Sequence, residues 1–168
     1  MANFRKQFSK IYDQYIDKIY RFIFLKVNSQ EIAEDLTAEV FTRSWDRFRN
    51  GRGKDIENIQ AFLYQVARNL VVDYYREKGR AKMVSAEEIW APDSRVDLEK
   101  DAQLDFEMEQ VRFALNKIPE NYAEVVVWRH LDQLSVVEIA KILNKSEGAV
   151  RVTLHRALKE LREKLEES

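Results

Sequence analysis

The stretch Leu134–Leu165, LSVVEIAKILNKSEGAVRVTLHRALKELREKL, leaves little freedom in its reading. Ser135 followed by Glu138 has the S-x-x-E spacing of a capping box, in which side chain and backbone exchange hydrogen bonds to close a helix start. Val136, Ile139, Ala140, Ile142 and Leu143 then repeat at helical spacing. Asn144-Lys145 interrupts that apolar rhythm. Ser146, with Glu147-Gly148 behind it, opens a second helix whose apolar residues recur at Val150, Leu154, Leu158, Leu161 and Leu165. The sequence predicts a short helix, a tight turn and a longer helix.

That layout is the one of a helix-turn-helix, in which the second helix enters the DNA major groove; a plain helical hairpin is the alternative. Opposite the apolar stripe of the second helix stand Glu147, Gly148, Arg151, Val152 and His155, with Arg156 and Lys159 flanking them within reach of a backbone phosphate. Gly148 is costly by about 1 kcal/mol relative to Ala in a helix interior. Close approach to another backbone or to DNA would account for it, and so would a tolerated variant of a first helical turn.

Composition bounds the rest. The chain has 168 residues, 45% of them apolar and 11% aromatic, enough to bury one or two small cores and too apolar for disorder. It has no Cys and two separated His, His130 and His155, so neither a disulfide framework nor a metal-ligand cluster is expected, and no cofactor. No apolar run approaches the roughly 18 residues of a membrane span, and the start, Met-Ala-Asn-Phe-Arg-Lys, lacks a signal-peptide core. The expected location is the cytoplasm. The net charge of −1 hides an uneven distribution. Basic residues gather at Arg43, Arg47, Arg49, Arg52, Lys54, Arg68, Arg76, Lys78, Arg80 and Lys82 and again after Lys145, whereas acids gather between Glu87 and Glu109. No acid-base pair, phosphate loop or nucleophile constellation is present, so an enzyme is not expected.

With four Gly, two Pro and a dominant 3.6-residue period, the fold class is all-α. A first helix is expected from Phe4 to Lys26, burying Phe4, Phe8, Ile11, Tyr15, Ile19 and Phe22 or Ile23. Asn28-Ser29 ends it and caps a second, Gln30 to Phe48, burying Leu36, Val40, Phe41, Trp45 and Phe48. On its other face Glu31, Asp35, Glu39 and Asp46 form an acidic stripe, although like charges four apart weaken a helix by a few tenths of a kcal/mol per pair. A solvated surface and an acidic ridge for a basic protein partner are both open readings. RFRNGRGKDIEN, residues 47–58, reads as an exposed positive loop.

A third helix from Ile59 to Glu77 is expected to bury Phe62, Leu63, Val66, Ala67, Leu70 and Tyr74, leaving Tyr64, Gln65, Arg68, Asn69, Val72, Tyr75 and Arg76 around its other sides. Rings that stack and arginines that neutralise phosphate suit unpaired bases, while tyrosines at helical spacing are equally core material. Residues after Lys82 lose periodicity and gain acids and Pro92, with Met83, Val84, Ile89 and Trp90 as docking points of a linker. A further helix begins near Leu104. Pro119 then suits the first turn of a helix from Glu120 to Leu131, against the strand propensity of Val125-Val126-Val127-Trp128.

Three segments together, AEDLTAEVFTRSW (33–45), AFLYQVARNLVVDYYR (61–76) and the block from Ile118 to Leu165, resemble the signature blocks of bacterial sigma factors of the extracytoplasmic-function group, in the right order and over nearly the whole chain. The resemblance implies two small helical domains joined by a flexible linker: region two over residues 1–81, an acidic linker over 82–103 and region four over 104–168. It implies a transcription initiation factor that binds core RNA polymerase and promoter DNA, with an anti-sigma factor as a further partner. Core polymerase would be gripped through Asp35, Leu36, Glu39 and Phe41. The minus-ten DNA would be held by Arg49, Arg52, Lys54 and Asn58, where a flipped base is captured, and by Arg68, Asn69 and Arg76 along the opened strand. The minus-thirty-five duplex would be read through Ser146, Glu147, Gly148, Arg151, Val152, His155, Arg156 and Lys159. A stand-alone helix-turn-helix regulator and an anti-sigma-like interaction protein are the competing readings. The turn Leu143-Asn144-Lys145-Ser146 departs from the glycine-plus-apolar turn of many relatives, and Val152 stands where a small polar residue is frequent.

Overall fold

The computed structural model describes residues 2–51, 56–82 and 102–167. Among them the secondary structure is helical throughout, and the chain divides into two compact units, Met1–Ser94 and Arg95–Ser168. The linker expected over 82–103, with Met83, Val84, Ile89, Trp90 and Pro92, lies almost entirely outside the described residues.

The first unit is built on α1 (Ala2–Val27), α2 (Gln30–Arg49) and α3 (Ile59–Lys82), each packed on the other two. The α1–α2 corner forms because Asn28 takes the left-handed conformation at φ 58°, which Asn tolerates better than other non-glycine residues, and Ser29 then accepts a 3.3 Å bond from the Ile32 N–H. Tyr15, Ile19, Phe22 and Ile23 are buried as their spacing predicts, whereas Phe4 and Ile11 are half-buried.

The buried stripe of α2 is turned relative to expectation. It consists of Ala33, Thr37, Val40, Phe41 and Ser44, and Leu36, Trp45 and Phe48 lie only half-buried at its sides. The hydroxyls of Thr37 and Ser44 can be buried because each donates to the carbonyl four residues back, Ala33 and Val40, at 2.6 Å. Trp45 and Phe48 instead join Phe4 and Phe8 in an aromatic cluster along the α1–α2 seam, with centroid separations of 5.2 to 5.9 Å. On the same seam, burial and then the Glu34 carboxylate hold the Tyr20 phenol above its ordinary pKa, so it stays neutral.

The core face of α3 is rotated as well. Tyr64, expected to point outward, is fully buried, packing edge-on against Phe22 at 5.4 Å. One stripe runs through Gln60, Tyr64, Ala67 and Val71 with Leu63 and Leu70 beside it, and Phe62, Val66 and Tyr74 are left half-buried. Leu63, Ala67 and Leu70 are buried as their spacing predicts. Tyr75 donates its hydroxyl to the Lys26 carbonyl, tying α3 to the last turn of α1.

The second unit comprises α4 (Ala102–Leu115), α5 (Glu120–Val126) continued by a π-helical turn (Val127–Leu131), α6 (Val136–Leu143) and α7 (Glu147–Glu166). Pro119 precedes α5 as expected, and its carbonyl accepts from the Tyr122 and Ala123 N–H groups at 3.0 Å. Val125, Val126, Val127 and Trp128 are all buried, so this segment runs through the middle of the unit, and its strand propensity is overridden by helical neighbours. The turn widens at its end, where the Asp132 N–H reaches back five residues to the Val127 carbonyl at 2.9 Å. No helix among the described residues is long and apolar enough to cross a membrane.

Candidate nucleic-acid interface

The helix pair α6–α7 owes its geometry to two caps and one backbone inversion. Ser135 Oγ accepts from the Glu138 N–H at 3.1 Å while Glu138 Oε1 accepts from the Ser135 N–H at 3.0 Å, the full capping box. Asn144 ends α6 in the left-handed conformation, φ 54° and ψ 48°, which asparagine tolerates better than other non-glycine residues. The Lys145 N–H donates back to the Ala140 carbonyl at 3.0 Å, and Ser146 Oγ then accepts from the Ala149 N–H at 3.1 Å to start α7.

Packing of α7 on α4, α5 and α6 fixes which side is presented. Val150, Leu154 and Ala157 are buried, and Leu158 and Leu161 are half-buried. Leu165, expected in the stripe, is 47% exposed in the last turn of the helix. All eight residues expected to read the duplex, Ser146, Glu147, Gly148, Arg151, Val152, His155, Arg156 and Lys159, are exposed. Arg151 lies 3.6 Å from Glu147 with both side chains well exposed, and such a surface pair is worth under about 1 kcal/mol, so the guanidinium is free to leave for a stronger acceptor. Ala149, which the sequence reading passed over, is exposed on the same side. A Cβ placed on Gly148 would meet nothing within 4 Å, so no internal contact of the protein requires glycine there.

In the first unit the outward side of α3 presents Asn69, Val72, Asp73 and Arg76, with Phe62, Gln65 and Val66 half-buried beside them. Arg76 lies 4.0 Å from Asp73 on the solvent side. Arg68 is half-buried, at the edge of that side. The Arg47 guanidinium stacks over the Phe62 ring at 4.8 Å, a cation-π contact that joins the end of α2 to the start of α3 and that spacing alone does not reveal. Asn58 has a structural role at this corner: its Oδ1 accepts from the Ala61 N–H at 3.0 Å and caps α3. Arg49 is exposed 3.7 Å from Asp46, and Arg52 and Lys54 lie outside the described residues.

The acidic stripe of α2 is exposed at Glu31, Asp35, Glu39 and Asp46. Part of its charge is answered locally, Glu39 by Arg43 at 2.8 Å and Asp46 by Arg49. Leu36 is half-buried next to it. Phe41 is 4% exposed, packed edge-on against Tyr12 at 5.0 Å and Phe8 at 6.4 Å, and so supports the helix from beneath, while Asp35 and Glu39 are exposed and Leu36 is half-buried.

These features define a two-unit helical protein whose second unit carries a helix-turn-helix and whose first unit carries separate acidic and polar faces. Residues 11–81 match the family model described as Sigma-70 region 2, and residues 108–161 match Sigma-70, region 4. The chain is 34% identical over 165 residues to the ECF RNA polymerase sigma factor BldN of Streptomyces coelicolor, covering 92% of this chain and 58% of that one. It is 31% identical over 170 residues to the ECF RNA polymerase sigma factor SigW of Bacillus subtilis, covering 94% of this chain and 88% of SigW. The chain therefore belongs to the extracytoplasmic-function group of the sigma-70 family. Its fold is similar to that of the sigma factor RpoE solved in complex with the anti-sigma factor NepR from Bartonella quintana, with a TM-score of 0.76 at 20% identity over 96% of this chain and 98% of that one. It is also similar to CnrH, solved in complex with the cytosolic domain of CnrY, with a TM-score of 0.72 at 18% identity over 98% and 90% of the two chains.

Proposed function

We propose that this protein is a transcription initiation factor of the cytoplasm that binds core RNA polymerase, directs it to specific promoters and stabilises the melted minus-ten strand. The observation that carries the reading is the outer side of α7, where every residue expected to meet DNA is exposed while the opposite side is anchored by Val150, Leu154 and Ala157. The helix is held rigidly by its core side, so its outer side can enter a major groove without rearrangement.

Residues 1–81 would form the polymerase- and strand-binding domain, 82–103 an acidic linker and 104–168 the duplex reader. Arg151 and His155 point to base edges, and Ser146, Arg156 and Lys159 to phosphates, which position the helix without reading sequence. Glu147 keeps Arg151 parked until the duplex arrives. Asn69 and Arg76, with Arg68 at the edge, would follow the opened strand, and Arg49, Arg52 and Lys54 would supply positive charge near the captured base, in a corner organised by Asn58. Asp35, Leu36 and Glu39 would meet the polymerase, with Phe41 beneath. The polymerase performs the chemistry; this chain supplies recognition. An anti-sigma factor that covered any of these faces would silence it.

The deciding experiment is run-off transcription with purified core polymerase on a promoter library, followed by permanganate footprinting on the promoters it selects. Arg151→Ala should lower duplex affinity by about 1 to 3 kcal/mol and relax preference in the minus-thirty-five element alone. Asn69→Ala should leave duplex binding intact and impair melting. If Asn69→Ala melts promoters normally and Arg151→Ala keeps its full sequence preference, the assignment of these faces fails.

A further inference from the structure

The outer side of α7 carries charge and ring nitrogens at Glu147, Arg151, His155, Arg156 and Lys159, with a small apolar patch set among them. Val152 adjoins Gly148 four residues before it and Ala149 three residues before it on the first two turns, all three exposed, and none has a side chain that can donate or accept a hydrogen bond. Val152 is 49% exposed, an isopropyl group left in water on a helix whose core stripe lies on the other side. Space for a Cβ at Gly148 is open, so the protein forgoes helix propensity there without an internal packing reason.

The result is a low apolar shelf at the end of the helix that, in a helix-turn-helix, lies nearest the base edges. Among the groups exposed in the major groove, nearly all are hydrogen-bond donors or acceptors; the C5-methyl of thymine is the apolar one. A surface with no donor or acceptor has one favourable partner in that list. We infer that the shelf of Gly148, Ala149 and Val152 receives a thymine methyl group, and that Val152 sets a requirement for thymine at one position of the duplex element. The bare backbone at Gly148 lets the helix approach closely enough for the contact, and Arg151 and His155 read the neighbouring bases. The inference rests on the assignment of α7 to the major groove made above.

The test uses the full chain with core polymerase. The tightest duplex is selected from a library randomised across the minus-thirty-five region, and each of its thymines is then replaced singly by deoxyuridine, which removes the methyl and keeps every hydrogen-bonding group. One replacement should weaken binding by about fourfold, the worth of one methyl group removed from water. With Val152→Ser that same replacement should have no effect, while the other positions respond as before. Cytosine placed at the sensitive position should bind less well than 5-methylcytosine with the unaltered chain and equally well with Val152→Ser. Binding that is retained but indifferent to every deoxyuridine, or a sensitive position that stays sensitive in Val152→Ser, overturns the inference while leaving the major-groove assignment standing. Failure to select any duplex overturns that assignment, and the inference with it. The deoxyuridine series needs no variant, so it decides the matter even if Val152→Ser folds poorly.

Discussion

Leu154→Ala and Leu165→Ala together test the rotation of α7, on which every assignment to its outer side depends. Leu154 is 8% exposed, so truncation removes three buried carbons, worth roughly 2.4 kcal/mol at about 0.8 kcal/mol each. The incompletely collapsed cavity raises the expected loss to about 3 to 4 kcal/mol. Leu165 is 47% exposed on a terminal turn that can relax, and its truncation should cost under about 1 kcal/mol. The chain divides into two compact units, so the titration needs a probe that lies in the second unit alone. Trp128 is fully buried in the second unit, and a background carrying Trp45→Phe and Trp90→Phe makes it the sole indole reporter. Urea titration followed by its fluorescence then reads the second unit alone. A loss at Leu154 below about 0.5 kcal/mol, or equal losses at the two positions, would show that the helix is rotated from the orientation described; either figure lies far outside the range expected of a buried leucine.

Three further outcomes are expected. Asn144→Ala should destabilise the second unit by about 1 kcal/mol in the same titration, because alanine bears the full strain of the left-handed conformation, whereas Asn144→Gly should be neutral or stabilising; equal effects would mean that the turn does not depend on that conformation. Asp35→Lys with Glu39→Lys should weaken binding to core polymerase at unchanged helicity, since both residues are exposed and the Glu39–Arg43 pair is worth only a few tenths of a kcal/mol; unchanged affinity would make the stripe a plain solvated surface. Lys159→Ala should lower affinity alike for all duplex sequences and reduce the slope of log affinity against log salt by about one, and a loss confined to one sequence would reassign Lys159 from phosphate to base contact.

The helix-turn-helix was legible in the sequence because its signals are local. Ser135 with Glu138, and Ser146 before its helix, act within four residues of themselves, so the capping pattern and the apolar spacing determined both helices of the pair before any tertiary contact was known. The same holds for Ser29 at the head of α2, whereas the left-handed conformation of Asn144, read only as a break in the apolar rhythm, came from the structure. Helix existence throughout the chain was likewise fixed by the 3.6-residue period. What the sequence left undecided was rotation. Period shows that a helix has a buried side, but where that side is centred depends on what lies opposite. In α2 the small residues Ala33, Thr37 and Ser44 took central positions that large apolar residues had been expected to hold, leaving Leu36 at the margin, and in α3 Tyr64 was drawn inside while Phe62 and Val66 were left at the margins. The strand-like run Val125–Trp128 reads as helix because of the helical patterns on either side, and it is helical and buried in the fold. Local hydrogen bonds act over a few residues and can be read from spacing; the direction in which a helix faces is set by the volume of neighbours distant in the chain, and only the assembled fold supplies it.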